Sequence, residues 1–192
     1  MSLCSLQEYT FNSKYARYLP EKKRRETWNE AVDRVKEMHL RRYPQITEEI
    51  NWAFEQVRQK KVLGSQRALQ FGGKAIEKQE ARIYNCCSSY CDRLRFFQEC
   101  FWLLLCGCGT GFSVQTHHIE KLPCFSQSWF EKSKKSRKIY VIQDSIEGWA
   151  DSLGVLLSSY FGGGEFPEYE GYEIIFDYSL IRPEGSLLAS SS

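Results

Sequence analysis

The sequence has almost no net charge, no long apolar run and no secretory signal. Its 192 residues include 26 basic and 24 acidic side chains, a formal net charge of +2, which is too small to indicate nucleic-acid binding by itself. No stretch approaches the roughly 20 apolar residues that a membrane span needs. The N-terminus lacks the charged and then apolar segments that direct export. We therefore expect a cytoplasmic protein that binds neither nucleic acid nor a membrane.

Standard nucleotide-binding loops are missing as well. The glycine run at 107–111 has Phe112 where a dinucleotide fingerprint needs its last glycine. Gly73-Lys74 is followed by Ala75, whereas a phosphate-binding P-loop needs Ser or Thr there. Taken alone, the run at 107–111 predicts a tight turn from a helix into a strand.

Cysteine and aromatic residues are abundant. Aromatic residues make up 15% of the chain, and seven of its eight cysteines lie between residues 86 and 124. In a reducing compartment such cysteines indicate buried thiols, metal ligands or redox chemistry rather than a disulfide framework. A structural zinc site needs two pairs of ligands at short spacing. The available pairs are Cys87 with Cys91, Cys106 with Cys108, and His117 with His118.

Buried free cysteine behaves as a small hydrophobe, which is the alternative to a zinc site for most of these residues. Cys100 and Cys106 lie within a nearly continuous apolar segment, and Cys108 lies in the glycine turn. The sequence does not decide between a zinc site and buried free thiols.

The pattern of apolar residues predicts a helical N-terminal region over 1–62. Residues 25–42 are typical of an amphipathic helix that Pro44 ends, and Thr47 is predicted to be the N-cap of a second helix. The expected buried positions are Trp28, Val32, Val35 and His39 in the first helix, and Ile50, Ala53, Phe54 and Val57 in the second.

Residues 63–192 predict alternating strands and helices, and therefore an α/β fold with parallel strands. Strands are expected at 81–87, 112–115, 138–142 and 172–178, and a helix buried nearly all round at 94–106. The segment 132–138 is interpreted as a solvated basic loop. Asp144 and Glu147 suggest a capping box, with Asp144 as the N-cap. The helix behind it is expected to bury Trp149, Leu153, Leu156, Leu157 and Tyr160.

Six segments of this sequence occur together, in this order, in one enzyme family. They are YARYLPE (15–21) with RRETW (24–28), GSQRAL (64–69), ARIYNC (81–86), LLLCGCGTGFSVQ (103–115), DSIEGW (144–149) and FDYSLIRPEG (176–185). The chain thereby resembles the N-terminal part of adenosylcobalamin-dependent (class II) ribonucleotide reductase. The resemblance implies a helical N-terminal region (1–62), followed by the first strands and helices (63–192) of a ten-stranded α/β barrel that is incomplete in this chain.

The resemblance also implies roles for individual residues. Cys86, in an Asn-Cys pair that ends the first barrel strand, matches one cysteine of the redox-active pair, whereas Cys87, Cys91 and Cys100 match no catalytic cysteine. The segment 181–185 would lead into the loop that links the effector and substrate sites. The implied substrate-binding residues are Ser65, Asn85, Gly107, Gly109 and Gly111, and the implied binding residues for a deoxynucleoside triphosphate effector are Asp144 and Ser145.

Several family elements have no counterpart in this sequence. The Asn-x-Cys-x-Glu pattern around the radical-bearing cysteine does not occur. The second redox cysteine, the cobalamin-contacting surface and the C-terminal cysteine pair belong to later sequence. The chain therefore corresponds to about the first third of such an enzyme, and we expect the isolated chain to be inactive.

The partners that the resemblance implies are those of the whole enzyme. They are the C-terminal remainder of the reductase, adenosylcobalamin, a ribonucleoside di- or triphosphate, a dithiol reductant such as thioredoxin, and a second copy in a homodimer through the helices at 94–106 and 149–160. Two alternatives are a non-catalytic nucleotide- or zinc-binding module and a poorly folded remnant.

Overall fold

Residues 3–125 and 136–186 are described by a computed structural model, and they divide into two units. The first unit lies within residues 1–84 and the second comprises Asn85–Ser186. Within the described ranges, no helix combines the length and the apolar character needed to cross a membrane.

The first unit is mainly helical. Its helices are α1 (Leu3–Lys14), α2 (Trp28–Arg42), α3 (Thr47–Arg58), α4 (Gln66–Phe71) and α5 (Lys74–Lys78), and its antiparallel strands are β1 (Tyr18–Leu19) and β2 (Arg24–Arg25). The helix predicted at 25–42 is confirmed from Trp28 onward. Thr27 is its N-cap and forms a capping box with Glu30, whereas Arg25 belongs to β2.

The prediction that Thr47 caps the second helix is wrong. Pro44 starts a 3-10 turn (Pro44–Ile46) that runs directly into α3, so Thr47 is already helical and Ile46 takes the N-cap position. The Thr47 hydroxyl donates to the Pro44 carbonyl at 2.8 Å. The hydroxyl therefore supports the turn before the helix, and it does not accept from the first N–H groups of the helix.

The core of the first unit joins α2 to α4 and α5. Its buried residues are Ala31, Val35, Met38, Leu69 and Ile76. Beside it, the carboxylate of Glu26 is 5% exposed and accepts from Arg34 Nε at 2.7 Å and Nη2 at 2.9 Å. Arg34 also donates to the carbonyls of Leu69 and Gly72. One buried ion pair therefore ties the start of α2 to α4.

The second unit contains two pairs of parallel strands. β3 (Cys86–Tyr90) pairs with β4 (Gly109–Ser113), and β5 (Arg137–Val141) pairs with β6 (Glu173–Asp177). The helices are α6 (Arg95–Leu105), α7 (Thr116–Ile119) and α8 (Ile146–Tyr160). The predicted parallel pairing is confirmed. Each parallel sheet has two strands in the described ranges, so the ten-stranded barrel stays a prediction.

Two predicted strands differ from the structure by more than one residue at a boundary. Residues Glu80–Ile83 form a 3-10 turn, and the strand expected at 81–87 begins only at Cys86. The strand expected at 112–115 begins three residues earlier, at Gly109, so the glycine run supplies part of the strand. Of the basic loop predicted at 132–138, residues 132–135 lie outside the described residues.

The two long helices of this unit bury other faces than predicted. In α6 only Phe96 is buried, and Leu104 and Leu105 are 55% and 38% exposed. In α8 the predicted bulky residues are only partly buried. The buried residues are Gly148, Ala150, Ser152, Gly154, Val155, Ser158 and Ser159.

Close packing explains this choice of small residues. A Cβ at Gly154 would lie 2.7 Å from the Phe166 ring and 2.8 Å from Gln98 Oε1, which belongs to α6. The helices α6 and α8 therefore approach along a face that has no room for large side chains.

Candidate active site

The predicted redox cysteine lies on an open face of the first parallel sheet. In the parallel register Cys86 is opposite Gly109 and Ser88 is opposite Gly111. Because side chains alternate between the faces of a sheet, these four residues share one face. Cys86, Ser88 and both glycines are exposed. Cys86 begins β3, whereas the family pattern predicted that it would end the strand.

The glycine run forms the turn that brings β4 beside β3. Gly107, at a φ of 86°, reverses the chain after α6 in a backbone region that non-glycine residues rarely adopt. The Gly107 N–H donates to the Leu104 carbonyl at 2.9 Å, and the Cys108 N–H donates to the Leu103 carbonyl at 2.9 Å. The Gly109 N–H then donates to the Asn85 carbonyl at 2.8 Å. This last bond fixes the thiol-bearing strand against the turn.

An open strip of backbone runs beside the Cys86 thiol. A Cβ at Gly109 would lie 3.5 Å from Cys86 Sγ and 3.7 Å from the Asn85 carbonyl oxygen. A Cβ at Gly111 would meet no heavy atom within 4 Å. A bound molecule can therefore approach the β4 backbone within reach of the thiol, and a side chain at 109 would fill that space.

The opposite face of the same strands carries a second group of thiols. Cys87 Sγ lies 3.4 Å from Cys108 Sγ. Cys108 and Cys91 are buried, at 2% and 4% exposure. Burial is the main cause that raises the pKa of the Cys91 thiol, and burial followed by the neighbouring Cys87 raises that of Cys100. Among residues 3–125 and 136–186, no three Cys, His, Asp or Glu side chains lie close enough to share a metal ion.

A histidine that the sequence suggested only as a candidate zinc ligand, His118, lies at the far end of the two strands. His118 Nδ1 is 3.0 Å from the Ser113 hydroxyl, and its ring centroid is 4.5 Å from that of Tyr90. Desolvation, followed by the positive charges of His117 and Lys121, lowers the pKa of His118. Tyr90 and Ser113 are opposite each other in the register, so the group depends on the pairing of β3 with β4, which no local sequence pattern signals.

The predicted effector residues lie at the N-terminus of α8. The N-cap is Ser145, whose hydroxyl accepts from the Gly148 N–H at 2.9 Å, so the prediction of Asp144 as the N-cap is wrong. Asp144 accepts instead from Arg182 Nε at 2.6 Å. Glu147 forms no capping box with Asp144; its carboxylate accepts from the Trp102 indole at 3.2 Å. Arg182 ties the segment 181–185 to this helix end, a contact that no pattern in the sequence indicates.

Ser65 lies in the first unit, whereas the other predicted substrate residues lie in the second. It precedes α4, and its side chain makes no capping hydrogen bond. Its carbonyl accepts from the Ala68 N–H at 3.0 Å. The first unit also holds a cavity of about 510 Å³ between α1 and the start of α2, lined by residues that include Phe11, Trp28 and Lys60. None of the predicted site residues lines that cavity.

Among the comparisons with known proteins, the match is to a solved structure. No family model matches the chain, and no curated protein sequence matches it. The mixed α/β chain with parallel strand pairs is similar in fold to a solved enzyme. That structure is the crystal structure of a B-12-dependent (class II) ribonucleotide reductase, which aligns with 95% of this chain at a TM-score of 0.77 and 23% sequence identity.

The match extends over part of the reductase. The chain spans 33% of the length of that structure. The resemblance inferred from the sequence segments is confirmed as a similarity of fold to part of a class II reductase. At 23% identity the similarity shows the fold, and the roles of individual residues stay predictions.

Proposed function

We propose that this chain is the N-terminal part of a ribonucleotide reductase, which reduces ribonucleoside di- or triphosphates to 2′-deoxyribonucleotides. The observation that carries the proposal is the Cys86 thiol, exposed on an open sheet face beside glycines that leave room for a ligand. The fold similarity to a class II reductase supports it. Activity requires residues outside this sequence.

Cys86 would supply one half of the reducing equivalents. Replacing the 2′-hydroxyl by hydrogen takes two electrons, and two thiols that join as a disulfide release two electrons and two protons. One thiol would be Cys86 and the other a cysteine of the remaining enzyme. The hydroxyl leaves as water, and a dithiol such as thioredoxin then reduces the disulfide. The Asn85 carbonyl, directly before β3, accepts from the Gly109 N–H. This hydrogen bond fixes the start of the strand, and the Cys86 thiol is thereby held in one position for the reaction.

The glycines would form the wall of the substrate pocket. A nucleotide over Gly109 and Gly111 can lie close to backbone groups because no Cβ stands between them. Asn85 precedes the thiol directly, and in the proposal its side chain contacts the substrate, while Gly107 shapes the turn. For Ser65, the resemblance implies a contact with the substrate phosphates.

Exposed apolar residues on the two parallel sheets support the proposal that further strands and helices cover them. Parallel sheets are normally covered on both faces, yet Ile139 and Ile175, opposite each other in β5 and β6, are 64% and 41% exposed. Phe112 in β4 is 55% exposed. We therefore propose that strands and helices of the C-terminal remainder cover these faces and complete a ten-stranded α/β barrel.

Adenosylcobalamin would supply the radical that starts the reaction. The resemblance assigns cobalamin contacts to sequence beyond this chain, so the residues described above have no proposed step on it. Their task is to bind the nucleotide, orient it and present the reducing thiol.

The N-terminus of α8 would bind the deoxynucleoside triphosphate effector. A helix N-terminus attracts phosphate through its free N–H groups and dipole. Asp144 and Ser145 stand at that end, where their side chains would bind the sugar hydroxyls of the effector. The Arg182 pair at 2.6 Å connects this end to the segment 181–185. A homodimer through α6 and α8 belongs to the same proposal, and exposed Leu104 and Leu105 on α6 offer apolar area for it.

Reconstitution tests the catalytic proposal. The chain is mixed with a C-terminal reductase polypeptide that carries the Asn-x-Cys-x-Glu loop, adenosylcobalamin, a dithiol and a ribonucleotide, and deoxyribonucleotide is measured. We expect product with the natural chain and with Cys87→Ser, and none with Cys86→Ser. No product from two pieces that are folded and associated contradicts the proposal.

Nucleotide binding separates the effector proposal from its alternatives. Calorimetry with deoxynucleoside triphosphates should show binding that Asp144→Ala weakens at least tenfold, and Glu168→Ala is the matched control on the same unit. Binding without any activity after reconstitution would favour a non-catalytic nucleotide module. Stoichiometric zinc in the purified protein would favour the zinc-binding module.

A further inference from the structure

The thiols on the face of the first parallel sheet opposite Cys86 are a second site, distinct from Cys86. Cys87 follows Cys86 in β3, so its side chain points to the other face. There its sulfur meets the sulfur of Cys108 at 3.4 Å. Both sulfurs also lie within 4 Å of the Gly109 carbonyl oxygen, at 3.9 Å for Cys87 and 3.6 Å for Cys108. The proposed reductase chemistry uses neither thiol.

We propose that Cys87 and Cys108 form a reversible dithiol–disulfide couple on the face opposite Cys86. A disulfide bond is about 2.05 Å long, so the sulfurs, now 3.4 Å apart, have to approach by little more than about 1.3 Å. Cys108 belongs to the turn between α6 and β4 and directly precedes Gly109, the first paired residue of β4.

The two thiols differ in how accessible they are to a reagent in solution. Cys87 is half-buried and is the thiol that a small reagent can reach. Cys108 is 2% exposed and lies behind it, so it can react with Cys87 but not easily with a reagent from solution. This is the arrangement of an entry thiol and a resolving thiol.

The oxidation balances with a small-molecule disulfide such as oxidised glutathione. The Cys87 thiolate attacks one sulfur of the oxidant, forms a mixed disulfide and releases one thiolate of the reagent. The Cys108 thiolate then attacks Cys87 Sγ and releases the second. The protein thiols lose two electrons and two protons, and the oxidant becomes two thiols. Dithiothreitol reverses both steps.

The disulfide would fix the geometry around the proposed active site. It joins the residue after Cys86 to the residue before Gly109, on either side of the hydrogen bond between Gly109 and Asn85. The oxidised protein should therefore melt at a higher temperature than the reduced one, and the turn amides should exchange more slowly with solvent.

Peptide mapping tests the couple in the full chain. The reduced protein is treated with oxidised glutathione, its free thiols are alkylated, and it is digested with trypsin without reductant. Cleavage at the basic residues gives peptide 83–93, with Cys86, Cys87 and Cys91, and peptide 96–121, with Cys100, Cys106 and Cys108. We expect these two peptides to be linked, with fragment ions that place the bond between Cys87 and Cys108.

Serine variants identify the pair. Cys87→Ser and Cys108→Ser should each abolish the link, while Cys86→Ser and Cys100→Ser retain it. Circular dichroism confirms that each variant is folded, and fragment ions of the natural chain assign the bond independently of the variants. No link, or a link that uses Cys86 or Cys100, overturns the proposal. Retention of the link in Cys86→Ser is independent of reductase activity, so the two proposals can fail separately.

Discussion

The two units of this chain differ in how their apolar side chains are buried. The first unit surrounds a buried cluster that joins α2, α4 and α5, and its exposed aromatic residues, such as Trp52 at 70%, lie on helix surfaces around that core. The second unit pairs its strands two by two and leaves apolar strand residues such as Ile139 exposed at 64%. Since parallel sheets are normally covered on both faces, the exposed strand residues of the second unit are faces that a ligand or further chain can cover.

This contrast separates the residues that hold the fold from those proposed to function. The buried ion pair of Glu26 and Arg34 belongs to the first unit, and the exposed Cys86 thiol belongs to the second. Substitutions in the two units should therefore have different consequences. Three pairs of variants and one single variant test these assignments, from the largest expected effect to the smallest.

Removing Arg34 should cause the largest loss of stability. Arg34→Ala leaves the Glu26 carboxylate, 5% exposed, without its partner, and breaking a buried pair costs about 3–5 kcal/mol. Arg41→Ala is the control, because its pair with Glu77 is 55% and 36% exposed and is worth about 0–1 kcal/mol. Urea unfolding gives both free energies. Equal losses in the two variants would contradict the buried-pair argument.

A core truncation in the first unit should cost more than an apolar truncation in the second. Met38→Ala removes a side chain that is 7% exposed, and such changes cost about 2–5 kcal/mol. Ile139→Ala removes one that is 64% exposed, and we expect a change within about 0.5 kcal/mol. Thermal melting and urea unfolding of both variants measure this. A large loss for Ile139→Ala would show that the β5/β6 face is covered in solution.

A methyl group at Gly148 should disturb the start of α8. A Cβ there would lie 2.3 Å from the Gln143 carbonyl oxygen, and backbone cannot move aside cheaply. We expect Gly148→Ala to cost about 1–3 kcal/mol. The control is Gly111→Ala, where a Cβ meets nothing within 4 Å, so it should be nearly neutral for stability while it lowers nucleotide binding. A stable Gly148→Ala variant would argue against this close approach.

The smallest effect concerns the pH dependence of stability at Asp151. Desolvation raises the pKa of this carboxyl, partly opposed by the Gln98 amide, which donates to it at 2.5 Å. Because the folded-state pKa is raised, the stabilising effect of the protonated carboxyl is fully present below the ordinary Asp pKa and is lost as pH rises through the raised value. Asp151→Asn should therefore melt at a higher temperature than the natural chain at pH 7, with a smaller difference at pH 4. A difference that grows toward pH 4 would reverse the assigned sign.

Local periodicity was enough to predict the elements whose neighbours are close in sequence. The helix at 25–42 and the alternation of strands and helices in the second unit follow from apolar spacing and are confirmed in kind. Thr47 was misassigned because the turn at Pro44–Ile46 continues without a break into α3. The strand expected at 81–87 was shifted because a 3-10 turn at Glu80–Ile83 takes up its first residues.

Features that depend on distant contacts could not be predicted. The side chain of Asp144 pairs with Arg182, 38 residues further on, while Ser145 caps α8. Small residues form the buried face of α8 because α6 and Phe166 approach closely, whereas apolar periodicity selects bulky side chains. The contact of Cys87 with Cys108 depends on the register of β3 with β4, which no local pattern encodes.

A single-turnover experiment tests the central claim most directly, namely that Cys86 supplies reducing electrons from the open face of β3. The reconstituted enzyme is reduced, freed of dithiol and mixed with ribonucleotide and adenosylcobalamin, and deoxyribonucleotide is counted per complex. We expect about one product per complex, Cys86 recovered in a disulfide with a cysteine of the C-terminal polypeptide, no product with Cys86→Ser, and an unchanged yield with Cys87→Ser. Equal yields from Cys86→Ser and the natural chain would contradict the claim.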